Sequence, residues 1–152
     1  MEVKLKFNAN INAPIKDVFE RIADMPNYKD WLPNSSAFGG TKDVSPYPVQ
    51  LNTHYLDYGP QGERPGVVNF YEQYSKLGFR HTMLITNLGL NLDTDIQIIY
   101  HFQDNNGITS VERQLAMTIT GSKFSMLAVP LVKMAFIREN RRIMRALKRS
   151  FQ

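Results

Sequence analysis

The chain opens in strict alternation, with Val3, Leu5 and Phe7 apolar and Lys4, Lys6 and Asn8 polar. A period of two sends the two sets to opposite faces, so the pattern predicts a strand with one face buried. The period then changes. Ile15, Val18, Phe19 and Ile22 recur at i, i+3, i+4 and i+7, a single helical stripe. Asn12 is its predicted N-cap, and Pro14 sits near the first turn, where a missing N–H removes no helical hydrogen bond. Met25-Pro26 ends the helix because proline disfavours helical geometry in the residue before it. Tyr28, Trp31 and Leu32 then form a second short apolar turn.

The polar, glycine-punctuated run 34–43 reads as a loop leading into a weak edge strand, and Ser45-Pro46-Tyr47-Pro48 as a further break. A strand is predicted at about 49–58. Gly59 to Gly66 holds three glycines and two prolines in eight residues, which predicts a loop longer than a hairpin needs. Four antiparallel strands are expected next, at 66–75, 77–87, 94–103 and 108–119, with turns at Ser75-Lys76 and at Asp104-Asn105-Asn106-Gly107. Within them Leu77, Phe79, His81, Met83 and Ile85 share one face. Val111, Leu115, Met117 and Ile119 share another with Thr109 and Arg113. After Gly121-Ser122 the spacing of Phe124, Leu127, Leu131, Met134, Met144 and Leu147 predicts a helix of nearly thirty residues, kinked or started late by Pro130.

A strand, two short helices, about six more strands and a long helix make an α+β order, and the terminal helix is the only long element able to cover the inner face of a curved sheet. Ala13-Pro14, Val18-Phe19, Asp24, Tyr28 and Trp31, with the element order continuing to residue 151, resemble the START-like (SRPBCC) superfamily, which includes polyketide cyclases/dehydrases and Bet v 1-type lipid-binding proteins. That resemblance implies a helix-grip fold, a curved antiparallel sheet of about seven strands wrapped around a long C-terminal helix, as a single domain over residues 1–152. It also implies a cavity between sheet and helix that takes a hydrophobic or aromatic small molecule such as a lipid or polyketide, with no cofactor. The superfamily spans enzymes, transport proteins, hormone receptors and chaperone activators, and it has no universal catalytic residue. Fold alone therefore does not decide between binding and catalysis.

Composition narrows the classes. At 152 residues and 43% hydrophobic content the chain suits one domain with a core large enough to surround a ligand. The absence of a long apolar run, and an N-terminus without an apolar signal core, predict a soluble cytoplasmic protein. There is no cysteine, and the three histidines at 54, 81 and 101 lack paired ligand spacing, so no metal site is expected. The net charge of +4 is uneven, because six of the eighteen basic residues fall at 138, 141, 142, 145, 148 and 149. On an amphipathic helix these read as the solvated face and as complements to the helix dipole. No RNP-like or glycine-rich phosphate motif accompanies them, which argues against nucleic acid. Membrane or chaperone contact through this helix is the second alternative function, and the oligomeric state, monomer or dimer, stays open.

The candidate chemistry lies on the inward faces. Similarity to a strand of the family places Tyr55 inward, and alternation places Asp57 with it. Arg113 falls in an apolar set, and since an unpaired buried guanidinium is costly it is expected to meet a carboxylate, Asp57 or Glu72. The register of Glu72 is ambiguous because both faces of 70–74 carry aromatics. The predicted ligand contacts are apolar ones from Phe79, Met83, Leu115, Met117, Leu127, Leu131 and Met134, with Tyr55, Asp57, Glu72, His81 and Arg113 orienting polar groups. The enzymatic alternative is a cofactor-independent cyclase or dehydratase with candidate catalytic residues His81, Arg113 and Tyr55. His81 would be the acid/base, and Arg113 or Tyr55 would stabilise an enolate oxygen. His54 and His101 are expected to face away, and the 59–66 loop is expected to be a plain connection, with a lid at the cavity mouth as its alternative role.

Overall fold

The computed structural model describes residues 1–152. Strand β1 (Glu2–Ile11) leads into helix α1 (Ile15–Ala23) and a 3₁₀ turn at Met25–Asp30. Strands β2 (Gly40–Ser45), β3 (His54–Gly59), β4 (Gly62–Glu72), β5 (Lys76–Ile85), β6 (Leu92–Asn105) and β7 (Ile108–Gly121) follow, then helices α2 (Lys123–Met126) and α3 (Val129–Arg149). All seven strands form one antiparallel sheet in the order β1-β7-β6-β5-β4-β3-β2. Only the β1–β7 pairing joins distant parts of the chain. The sheet curves, and α1, the 3₁₀ turn and α3 cover its inner face, an α+β helix-grip fold.

Alternation decides what lies inside. On β6, Leu92, Thr94, Ile96, Ile98, Tyr100 and Phe102 are buried, and on β7 every second residue from Thr109 to Ile119 is buried with them. Helix α3 turns Val129, Val132, Asn140, Met144 and Leu147 inward. Burial of this continuous core is the main driving force for the fold, at roughly 1.5–3 kcal/mol for each large apolar side chain fully withdrawn from water.

Several boundaries differ from those predicted. Pro14 itself occupies the N-cap position of α1 with no side-chain cap, so Asn12 lies two residues too early. The strand expected from 49 begins at His54, because Thr53 Oγ1 accepts from the Gln50 amide and donates to the Pro46 carbonyl, holding 46–53 in a turn. The long 59–66 loop is instead a tight hairpin with Pro60-Gln61 at its tip and Gly62 at φ +116°, leaving no segment to serve as a lid. Pro65 is tolerated because β4 pairs with β3 from Gly62 but with β5 only from Gly66. The terminal helix starts late, as Pro130 allows: Ser122 caps the short α2, the chain breaks at Leu127-Ala128, and α3 begins with Pro130 in its first turn.

Candidate functional site

Cross-strand register brings the inward polar residues together. Tyr55 pairs with Gly66, and Gly66 with His81, so these three form one row across β3, β4 and β5. Because Gly66 has no side chain, the Tyr55 ring lies over its Cα and reaches the imidazole, with Oη 3.4 Å from His81 Nδ1. The row continues through Ile96, Met117 and Val3. A second row holds Thr41, Asp57 and Arg64, and Thr41 Oγ1 donates to Asp57 Oδ1 at 2.6 Å. A third sets Arg113 beside Tyr100 and Leu77.

Arg113 is buried, and its partners are neutral. Nε donates to Asn140 Oδ1 of α3 at 2.7 Å, Nη1 donates to Tyr100 Oη, and the Asn140 amide is held in turn by the Phe136 carbonyl at 2.8 Å. The expected carboxylate partner is thus corrected. Asp57 is engaged by Thr41, and Glu72 is exposed at the end of β4 opposite Lys76, on the outer side of the sheet. Arg64, hidden in the sequence by the loop reading of 59–66, is as buried as Arg113 and donates from Nη2 to the Ala37 carbonyl at 2.7 Å. Neither arginine has a carboxylate oxygen within 4.0 Å.

Trp31 Nε1 is the sole buried side-chain nitrogen or oxygen without a hydrogen-bond partner. Arg113 Nη2 and Arg64 Nε and Nη1 also make no hydrogen bond within the protein, so these donors retain accessible surface. Asp57, His81 and Met83 on the same inner face are only half-buried. The concave side is therefore not sealed around its charged groups.

The electrostatics follow from how far these groups are withdrawn from solvent. Burial, reinforced by the positive charges of Arg64 and Arg113, lowers the His81 pKa from 6.5 to about 4, so the imidazole is neutral at pH 7. Burial raises the Asp57 pKa, against the Thr41 hydrogen bond and the two arginines. Burial also drives the Tyr55 phenol well above its usual value. Glu139 on α3 is the other nearby carboxylate. Burial pushes its pKa up, but the two-point contact from Arg142 (2.6 and 3.0 Å) and the Ser35 hydroxyl outweigh this and hold it below the usual range.

Among the other predicted site residues, Phe79, Leu115 and Met117 are buried on the inner face, with Phe79 edge-on to Tyr55 and Tyr100. Leu127, Leu131 and Met134 are corrected: they are 78%, 70% and 59% exposed and point away from the sheet with Phe124. The helical period was read correctly, but α3 turns the stripe through Val132, Phe136 and Asn140 inward instead. Arg64, Tyr100, Asn140 and Thr41 were not anticipated. Tyr100 alone carried a signal, by alternating with Ile98 and Phe102. His54 is exposed, and His101 lies on the outer face between buried neighbours.

Two open depressions lie at the surface. One, of about 990 Å³, lies between α1, the 3₁₀ turn and the end of α3, and includes Arg21, Trp31, Arg142, Arg145 and Arg149. The other, of about 730 Å³, follows the β3–β4 hairpin and reaches Arg64 and Met83. No group of three or more His, Asp and Glu side chains is placed to hold a metal ion, and no helix is long and apolar enough to cross a membrane.

No protein-family model and no curated protein matches the chain. Solved structures do. The Bacillus halodurans protein BH1534 superposes with a TM-score of 0.70 at 15% identity, over 99% of this chain and 97% of that one. A START superfamily protein from Mycobacterium smegmatis gives 0.69 at 11% identity, over 97% and 96%. DynU16, from the dynemicin biosynthetic locus, gives 0.57 at 16% identity, over 95% of this chain but 46% of that one. At such identities the likeness is one of fold, and the fold is START-like.

Proposed function

We propose that this protein binds an apolar or aromatic small molecule on the concave side of the sheet, beneath α3. One observation carries the reading: solvent-accessible guanidinium nitrogens of the buried Arg64 and Arg113 that no protein acceptor meets, and half-buried Asp57, His81 and Met83, share the inner face with Phe79, Leu115 and Met117. A core serving only stability gains nothing from two arginines that lack carboxylate partners, whereas a binding site combines apolar walls with a few convergent polar groups. The START-like fold supports the same reading. Catalysis is the weaker alternative. A histidine with a pKa of about 4 is a poor general base near pH 7, and Tyr55 is too weak an acid to share that work.

The test is native mass spectrometry after mild purification, with thermal denaturation in the presence of fatty acids, aliphatic alcohols and polyphenols. A co-purifying small molecule, or a ligand-dependent rise in melting temperature, is expected. A bare protein whose melting temperature no such compound raises would overturn the reading. If His81→Ala retains that rise, it separates binding from catalysis.

A second reading is favoured by a different surface. Phe124, Leu127, Leu131 and Met134 are exposed along one face of α2 and the start of α3, and residues 113–138 contain no Asp or Glu while holding Lys123, Lys133 and Arg138. An apolar stripe flanked only by cations suits contact with an anionic lipid surface.

A further inference from the structure

The charges on the concave side do not balance. Arg64 and Arg113 are 8% and 7% exposed. Both lie close enough to act on Asp57 and His81, and Asp57 is the only carboxylate on the inner face of the sheet beside them. Glu139, the next nearest, is already held by both ends of the Arg142 guanidinium. His81 is neutral and the partners of Arg113 are an amide and a phenol; Glu139 is near enough to be lowered by Arg113, but its charge is matched by Arg142, so the second positive charge has no counterion of its own. With Asp57 ionised the excess is one unit, and three guanidinium nitrogens without a protein acceptor keep accessible surface.

We infer that the ligand is a monoanion, an apolar or aromatic carboxylate whose oxygens accept from the free nitrogens of Arg113 and Arg64 while its body lies against Phe79, Met83 and Leu115. This rests on the binding function proposed above and specifies its ligand class. A carboxylate fits on two counts. A guanidinium presents paired donors that match its two oxygens, and a single negative charge neutralises the excess where a phosphate dianion would overshoot it. Neutral ligands of the same shape leave the charge uncompensated in a region of low dielectric.

The experiment compares matched pairs, decanoate with decanol and naphthoate with naphthylmethanol, by calorimetric titration, with methyl NMR of Met83 and Leu115 to locate the ligand. The expected result is that at least one acid binds about tenfold or more tightly than its alcohol, the increment of a charge-assisted hydrogen bond, and shifts both methyl signals. Arg113→Met and Arg64→Met should each narrow that ratio toward unity, and Arg145→Met, on the outer depression, should leave it unchanged. If alcohols and acids shift the methyls with equal affinity, the anion is wrong and the binding function stands. If no compound shifts them, both fall. The wild-type comparison decides by itself should an arginine variant not fold, and an acid preference that Arg145→Met abolishes would assign the anion to the surface and overturn the inference.

Discussion

His81 shows how position alone sets the chemistry of a residue. Its imidazole sits across Gly66 from Tyr55, with two arginines near, and its folded pKa of about 4 lies below the ordinary 6.5. Between these values the unfolded chain binds more protons than the folded one, so folding free energy is lost as pH falls from about 6.5 to about 4 and is constant below that. The shift corresponds to about 3 kcal/mol. Asp57 acts with the opposite sign: its raised folded pKa adds stability as pH falls and loses it as pH rises through that value. Comparing wild type with His81→Gln removes the Asp57 contribution common to both. Urea midpoints at pH 7 and pH 4.5 should show the wild type losing more stability than the variant. Equal losses would mean that the ring is not enclosed as described.

At the scale of the element, the β3–β4 hairpin does more than connect strands. Its register places Tyr55 over Gly66, and a Cβ on Gly66 would fall within the Tyr55 ring. Gly66→Ala is therefore expected to destabilise the fold by about 1–3 kcal/mol, as overpacking does, and to break the Tyr55–His81 contact. Denaturation curves and the His81 imidazole NMR signals would show it, and unchanged His81 signals would contradict the close approach. This hairpin is also where sequence reasoning failed most. Three glycines and two prolines within 59–66 look like a loop, yet Gly62 supplies the turn, Gly66 makes room for a ring, and Pro65 lies where the strand is paired on one side only. Composition cannot tell these uses from flexibility, and so Arg64 was lost with them.

Across the whole molecule, the apolar stripe from Phe124 to Met134 faces outward from α2 and α3 while the interior holds the arginines. If the stripe meets anionic lipid, vesicles rich in phosphatidylserine should sediment the protein at low salt and vesicles of phosphatidylcholine should not, with Leu127→Glu/Leu131→Glu abolishing binding. Sedimentation unaffected by the double substitution would rule the stripe out as the contact. The architecture itself was legible in sequence: alternation marked the strands, Asn106-Gly107 a hairpin, Pro130 the late start of α3, and the strand-helix-sheet-helix order the helix-grip arrangement. Inward orientation of Tyr55, His81 and Arg113 followed too, from a resemblance for the first and from alternation for the other two.

What one period could not reach was the meeting of separate elements. Alternation assigns a residue to a face, but it does not say which residue of another strand stands opposite, because register depends on turns and bulges that pair distant segments. Hence Arg113 was predicted to meet a carboxylate and instead meets Tyr100 and Asn140. The rotation of α3 about its axis was likewise undetermined. Its stripes through Leu131 and through Val132 are both apolar in sequence, and packing chose the second. The sequence by itself determined the elements, their order and the faces of the strands, since these follow from local periodicity and backbone chemistry. Only the tertiary structure decided the partners of the buried charges, because that depends on which side chains the curved sheet and its helix bring within hydrogen-bonding reach.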